Sequence, residues 1–154
     1  MRSPLRHSWL FLPFVLAASP LHSQAVHSMA DIKWGPAPPF LPAGAHAAVL
    51  QGDPGSSGEY TLRLQVPDGY IVPPHYHPTD ENVSVLSGTL LLGMGDEIDR
   101  RTAERLTAGG FMTAKANMHH YAVAVGPTVL QVHGNGPFAI TYVRVTDDPR
   151  TPRP

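Results

Sequence analysis

The amino-acid sequence predicts an all-β protein, built as a sandwich or a barrel. Short runs that suit β-strands recur along the chain, at the spacing of roughly 8–12 residues that is typical of such folds. Proline (17 residues) and glycine (14 residues) are scattered between these runs, where they favour turns. Only residues 99–104 resemble a helix, and that stretch is short and weak. A chain of 154 residues is long enough for one domain with a single core.

The predicted strands begin after a turn-forming cluster, GDPGSSG, at residues 52–58. They are residues 60–66, 83–86, 89–94, 111–114, 121–125, 129–133 and 138–145. Ser87-Gly88 predicts a hairpin between two of these runs, and Gly126-Pro127 predicts another turn. Residues 73–78 contain three prolines, which favour an extended backbone there.

Residues 1–25 have the three parts of a secretory signal peptide. Arg2 and Arg6 supply positive charge, residues 9–18 are apolar, and small residues precede a cleavage site after Ala25. The apolar run is shorter than the roughly 20 residues that a membrane-spanning helix needs. We therefore predict a periplasmic or secreted protein with no membrane span after cleavage. A retained N-terminal anchor is the alternative.

Three further parts are expected after the signal peptide. Residues 26–44 form a proline-rich N-terminal arm, residues 45–146 form the β-barrel domain, and residues 147–154 form a C-terminal tail. The arm carries Trp34 and Phe40, whose side chains need an apolar surface to cover. That surface belongs either to the chain's own sheet or to a partner subunit.

The composition excludes several chemistries. The chain has no cysteine, which rules out disulfide bonds, thiolate catalysis and cysteine-ligated metals. Its formal net charge of −1 at pH 7 gives no indication of a nucleic-acid or anionic-membrane surface. The expected partner is therefore a small-molecule substrate or ligand.

The sequence PPHYHPTDE, at residues 73–81, places two histidines close to a carboxylate. Residues i and i+2 of an extended segment point to the same side, so His75 and His77 can converge on one ion. Glu81 follows a kink at Pro78 and can fold back over the same point. Imidazole and carboxylate suit transition metals better than Ca or Mg. The alternative interpretation is a solvated strand edge.

A further ligand is expected from a distant part of the chain. His119 and His120 are adjacent, so only one of them can face the interior if both lie in a strand. The spacing alone does not choose between them.

The spacing Gly69-x5-His75-x-His77-x3-Glu81-x6-Gly88 resembles the first motif of the cupin superfamily. All five defined positions of that motif are present at the required intervals.

The second cupin motif is present in a degenerate form that starts at Gly109. Lys115, Asn117 and Ala124 stand where that motif has proline, glycine and asparagine. The histidine of the motif falls on His120, so the resemblance selects His120 over His119.

The chain from about residue 45 to 145 is thus similar to small single-domain cupins. The resemblance implies a jelly-roll barrel, or double-stranded β-helix, with one divalent transition metal per subunit. The implied ligands are His75, His77, Glu81 and His120. Fe or Mn is favoured, and Zn, Ni and Cu are the alternatives. Small cupins of this kind are usually homodimers, so a homodimer is expected here.

Three histidines and one glutamate leave coordination positions free for water or substrate. The resemblance implies a metalloenzyme that acts on a small oxygen-bearing organic substrate, and a dioxygenase-like oxidoreductase is favoured. A Zn- or Ni-dependent isomerase or lyase, and a non-catalytic sensor or carrier, are the alternatives. Glu81 and His119 are the candidate acid–base residues of such an enzyme.

Four more residues are candidates for the lining of the pocket. Gln131 and His133 share one face of a predicted strand, but alternation does not show whether that face points inward. Met94 and Met112 could also line the pocket, although methionine commonly fills gaps in a core.

Overall fold

The computed structural model describes residues 27–152. The signal peptide predicted at residues 1–25 lies outside these residues. Within residues 27–152 no helix is long and apolar enough to cross a membrane. This part of the chain is built from β-strands, with single 3-10 turns at Met29–Asp31 and Val145–Asp147. The strands are β1 (Gly35–Pro36), β2 (His46–Gln51), β3 (Gly58–Val66), β4 (Ile71–Tyr76), β5 (Glu81–Met94), β6 (Glu104–Thr107), β7 (Phe111–Ala114), β8 (His120–Gly136) and β9 (Thr141–Tyr142).

Two long antiparallel strands, β5 and β8, organise the fold. The first half of β5 pairs with the second half of β8, and the second half of β5 pairs with the first half of β8. Each half then has its own outer neighbours. One group of strands runs β1-β2-β3-β8-β5-β7, and the other runs β9-β4-β8-β5-β6. The all-β jelly roll expected from the sequence is therefore confirmed.

The hairpin predicted at Ser87-Gly88 and the turn predicted at Gly126-Pro127 are wrong. Both sites lie inside continuous strands, because β5 and β8 pair with each other on both sides of a local irregularity at Gly88 and Gly126. Gly88 and Gly126 have φ angles of +82° and +75°, which glycine adopts without a steric penalty. The two glycines therefore bend the long strands and do not end them.

Two other predicted elements also differ from the structure. Residues 99–104 form a turn and not a helix: the amide of Ala103 bonds the carbonyl of Asp99, and β6 begins directly afterwards. Of the predicted strand 138–145, only β9 pairs as a strand. The amide of Phe138 is instead bonded to the carbonyl of Pro54, outside any ladder.

Alternate residues of β3, β5 and β8 face one shared core. Its buried members include Tyr60, Leu62, Leu64, Val83, Val85, Leu130 and Val132. Burial of such side chains is the main source of stability for a domain without disulfides.

The proline-rich segment before β2 covers this core from one side. Leu41 is buried, and the ring of Phe40 meets Phe138 edge-on at 5.6 Å between centroids. The phenols of Tyr70 and Tyr142 donate hydrogen bonds to carbonyls of the segment, at 2.7 Å each. Phe40 therefore covers the chain's own core.

Substitution of Gly88 by alanine is expected to destabilise the protein more than the same change at Gly126. Both residues have positive φ, which costs an L-residue about 1–2 kcal/mol. A Cβ at Gly88 would in addition lie 2.5 Å from the carbonyl oxygen of Pro127, whereas a Cβ at Gly126 meets nothing within 4 Å. We expect Gly88→Ala to lose about 1–3 kcal/mol more than Gly126→Ala.

Urea denaturation of the two variants and the wild type measures this difference in the free energy of unfolding. Equal losses would show that β5 and β8 do not approach each other at Gly88 as described.

Candidate metal site

Neighbouring strands bring three histidines together at one end of the barrel. His75 on β4 lies directly opposite His120 on β8 in the antiparallel ladder, and residues so paired share a face. Their ring centroids are 4.2 Å apart. His77 follows β4, with its ring 5.0 Å from His75 and 5.3 Å from His120. One ligand nitrogen from each ring lies within 4.8 Å of the other two, and all three residues are buried. The three histidines could therefore hold one metal ion.

Backbone carbonyls fix the orientation of all three rings. Each Nδ1 contacts a carbonyl oxygen, which can only accept a hydrogen bond, so each Nδ1 carries the hydrogen. The pairs are His75 with Pro73 (2.6 Å), His77 with Ala139 (2.7 Å) and His120 with Met118 (3.0 Å). In the neutral rings Nε2 therefore has a free lone pair, and this arrangement is the one found in metal-binding histidines.

The Nε2 atoms and the Glu81 carboxylate face one another without forming hydrogen bonds. Nε2 of His77 and Nε2 of His120 are buried and have no hydrogen-bond partner among residues 27–152. The Oε2 atom of Glu81 lies 3.4 Å from the first and 3.5 Å from the second. Lone pairs at this separation in a buried site repel unless a cation lies among them. The residues present thus fit a divalent metal bound by imidazole and carboxylate.

Protonation in the metal-free protein follows from this crowding. Burial, together with positive charge on His120 and His77, lowers the pKa of His75 to about 3. Burial raises the pKa of the Glu81 carboxyl, but the His120 and His77 rings beside it outweigh burial and hold that pKa well below its usual range. Burial lowers the pKa of His77, yet Glu81 reverses this, and the net change is upward. A proton and a metal ion would therefore compete for the same Nε2 lone pair of His77.

The three histidines and Glu81 form the polar end of an otherwise apolar cavity. Its volume is about 50 Å³, enough for a few water molecules. The other residues that line it are apolar, and they include Val72, Leu92, Ala122, Val132 and Phe138. Water is scarce in such a cavity, so electrostatic interactions with a bound ion would be strong.

The degenerate second motif keeps its backbone geometry. Asn117, at the position of the motif glycine, has φ +61°, a conformation that asparagine tolerates better than most residues. Its amide bonds the carbonyl of His77 at 2.8 Å, which ties this loop to the first motif. Lys115, at the proline position, is exposed and pairs with Asp80 at 2.8 Å. The loop before His120 is thus held without the usual proline and glycine.

The structure separates the two adjacent histidines. His120 faces the cavity with 2% of its surface exposed, whereas the side chain of His119 is 38% exposed. Nδ1 of His119 lies 2.6 Å from Asp96, and its ring stacks on Tyr76 at 5.1 Å. Of the two candidate acid–base residues, the structure therefore places Glu81 in the cavity and His119 outside it.

The four residues expected to line the pocket do not line this cavity. They are Met94, Met112, Gln131 and His133. Leu130 and Val132 face the cavity, so alternation turns their odd-numbered neighbours outward. Met94 ends β5 and is 51% exposed, and Met112 packs, half-buried, against the core.

Sequence analysis missed one prominent residue of the cavity. Phe138 stacks on the ring of His77, with 5.2 Å between centroids and 22° between planes. The sequence predicts a strand at residues 138–145, but residues 137–140 pair in no strand, so alternation could not place the side chain of Phe138.

A jelly roll whose inner cavity ends in three histidines and a glutamate is typical of the cupins. The family model of the ChrR cupin-like domain matches residues 22–139, and the chain belongs to this family. No curated protein sequence matches the chain significantly.

Solved structures of cupins share the fold at low sequence identity. The polyketide cyclase RemF from Streptomyces resistomycificus is 21% identical, with a TM-score of 0.66 over 82% of this chain and 89% of that one. A candidate acetylacetone dioxygenase from Methylibium petroleiphilum is 19% identical, with a TM-score of 0.63 over 88% and 91%. The anti-sigma factor ChrR of Rhodobacter sphaeroides, solved in complex with SigE, is 24% identical, with a TM-score of 0.50 over 69% and 50%. At these identities the similarity shows the fold alone.

Acidification from about pH 6.5 towards 3 is expected to destabilise the metal-free protein. Across this range the unfolded chain protonates His75, whereas the folded protein, where its pKa is about 3, does not. The unfolded state binds the extra proton, so the free energy of unfolding decreases as the pH is lowered. For one group the decrease is at most about 1.4 kcal/mol per pH unit. The lowered pKa of Glu81 acts in the same direction at the acid end. The raised pKa of His77 stabilises the fold below about 6.5, and this contribution is lost as the pH rises.

Urea denaturation of metal-free protein at several pH values measures the slope, and His75→Gln should flatten it. A slope that His75→Gln leaves unchanged would contradict the burial of a neutral His75.

Proposed function

We propose that this protein is a metalloenzyme that acts on a small oxygen-bearing organic substrate. One divalent metal per chain is held by His75, His77, His120 and Glu81. The observation that carries the proposal is the convergence of three lone-pair Nε2 atoms and a carboxylate at the polar end of an apolar cavity. A purely structural histidine cluster would not need unpartnered buried nitrogens.

A redox-active metal, Fe or Mn, fits the proposal best, with Zn, Ni and Cu as alternatives. Three imidazoles and one carboxylate suit all of these ions. When bound, Fe or Mn supplies a Lewis acid that can also change oxidation state. The activity we favour is therefore that of a dioxygenase-like oxidoreductase, and the fold shared with a candidate acetylacetone dioxygenase supports this choice.

The chain's own residues would orient the substrate and exclude water. The carbonyls of Pro73, Ala139 and Met118 keep the histidine rings in one tautomer, so the ligand atoms need no rearrangement. The apolar walls limit water beside the reacting atoms. Among residues 27–152, Glu81 is the one carboxylate that lines the cavity, and it is the candidate base for a substrate proton.

A non-catalytic sensor or carrier is the second candidate function. The match to the ChrR cupin-like family favours it, because a member of the same fold occurs in an anti-sigma factor. A Zn- or Ni-dependent isomerase or lyase would use the same ligands without a redox change. Turnover of substrate separates the two enzymes from the sensor, and oxygen consumption separates the two enzymes from each other.

The proposal also includes a cellular location and an oligomeric state. Residues 1–25 support export to the periplasm or beyond, where direct action on a cytoplasmic sigma factor is excluded. A homodimer is proposed by analogy with small cupins.

Metal binding should depend on the four proposed ligands and on no other histidine. We expect one metal ion per chain in the wild type, and a loss of at least about tenfold in affinity in His77→Ala and His120→Ala. His119→Ala is the matched control, because it removes the neighbouring imidazole, which faces outward. Elemental analysis and calorimetric titration measure stoichiometry and affinity. Equal loss in His119→Ala and His120→Ala would contradict the assignment.

The oxidative form of the proposal requires oxygen consumption. Protein loaded with Fe(II) or Mn(II) should consume O2 with at least one member of a panel of small phenols and diketones, and His77→Ala should not. An oxygen electrode measures the rates. Metal-loaded protein that consumes no O2, but isomerises or cleaves a substrate with Zn or Ni, would support the alternative enzyme. Metal binding without any turnover would support the sensor.

A further inference from the structure

Two apolar spaces meet at Phe138. One is the inner cavity, which ends at the three histidines, and the other is a surface groove of about 310 Å³. We call the second space the outer groove. It is lined chiefly by Pro38, Phe40, Ala47, Val49, Leu62 and Phe138. Val49 is 55% exposed, so the groove is open to solvent. In the described part of the chain, Phe138 is the residue that lines both spaces.

The ring of Phe138 separates the outer groove from a proposed metal ligand. One face stacks on His77, at 5.2 Å between centroids. Phe40 meets the ring edge-on at 5.6 Å, and Tyr60 packs against it at 5.4 Å. Rotation of this one side chain would therefore expose the ring of His77 to the groove.

The backbone around Phe138 favours movement of the side chain alone. Residues 137–140 pair in no strand, yet the amide of Phe138 is anchored to the carbonyl of Pro54 at 2.6 Å. The carbonyl of the next residue, Ala139, accepts the hydrogen bond from His77 at 2.7 Å. The backbone is thus held on both sides of a half-buried aromatic ring, which can change rotamer.

The sizes of the two spaces limit what can reach the metal ligands. The inner cavity, at about 50 Å³, holds a few waters and no complete organic molecule of ordinary size. The outer groove, at about 310 Å³, lies in the range of small-molecule sites and is lined by apolar residues. A molecule with its polar atoms at the histidines is larger than the inner cavity, and the outer groove beyond Phe138 offers apolar space for its remaining atoms.

We propose that the substrate of this site has an oxygen-bearing head and an apolar tail, that the tail lies in the outer groove, and that Phe138 turns aside to admit the head. The proposal rests on the proposed metal site and adds the class of substrate and a specificity-determining residue. The complementarity is chemical: apolar walls favour a hydrocarbon tail, and the histidine-bound metal favours oxygen ligands.

The tail can be tested with chelating probes of increasing length. We would titrate Co(II)-loaded protein with alkyl hydroxamates, from acetohydroxamate to octanohydroxamate. Affinity should rise about threefold to fourfold for each added methylene until the outer groove is filled. Val49→Asp places a charge in the groove and should remove this rise. Val145→Asp should keep it, because Val145 is 70% exposed and does not line the groove.

The role of Phe138 can be tested by the rate at which a chelator removes the bound metal. Phe138→Ala should speed the removal by at least about tenfold, because the ring no longer covers His77. Phe138→Leu should give a smaller increase, and it also reports on Phe138 if the alanine variant does not fold. Phe111→Ala is the matched control, because Phe111 is 55% exposed and lines neither space.

The outcomes separate this proposal from the metal site on which it rests. Metal binding with no gain in affinity per methylene would overturn the tail site and leave the metal site standing. Equal rates of metal removal in the wild type and both Phe138 variants would overturn the role of Phe138. Wild-type protein that binds no metal would overturn both proposals.

Discussion

Three hydrogen bonds from imidazole Nδ1 to backbone carbonyls set the chemistry of the site. They turn the lone pairs of His75, His77 and His120 towards one point, where Glu81 also lies. Two of the three bonds are local, since the carbonyl belongs to the residue two positions earlier in an extended backbone. The third joins His77 to Ala139, 62 positions away, and so depends on the closed barrel.

Closure of the barrel explains how Glu81 reaches His120. Glu81 pairs with Gly134, at the far end of β8 from His120. In a flat strand the fourteen steps from residue 120 to residue 134 would span about 46 Å, at about 3.3 Å per residue. The structure instead places Glu81 Oε2 and His120 Nε2 3.5 Å apart. Gly88 and Gly126 lie where the two long strands bend, and these bends bring the ends of each strand closer together. The four ligand residues therefore meet only in the folded chain.

The sequence predicted the features that depend on local backbone geometry. It did not predict those that depend on closure of the barrel. Alternation correctly placed His75 and His77 on one side of an extended segment, because that rule needs only a period of two. It could not choose between His119 and His120; the family motif made that choice. Gly88 and Gly126 were misread as ends of strands, because the same positive φ serves a turn and a bend. The orientation of Gln131 and His133 required the register of β8, which no short window contains.

Phe138 shows a second limit of sequence analysis. It belongs to an irregular segment after β8, where neither period applies, and its contacts with His77, Phe40 and Tyr60 come from three different parts of the chain. Loop residues of this kind determine substrate specificity within a shared fold, because loops vary while the strands that carry the ligands are retained.

X-ray absorption spectroscopy of metal-loaded protein tests the central claim most directly. The proposed site requires a first coordination sphere with three imidazole nitrogens and carboxylate or water oxygen. For a zinc-loaded sample the metal–nitrogen distances should be about 2.0–2.1 Å. A first sphere with one imidazole or none would contradict it, because the three inward-facing Nε2 atoms would then serve no common ion.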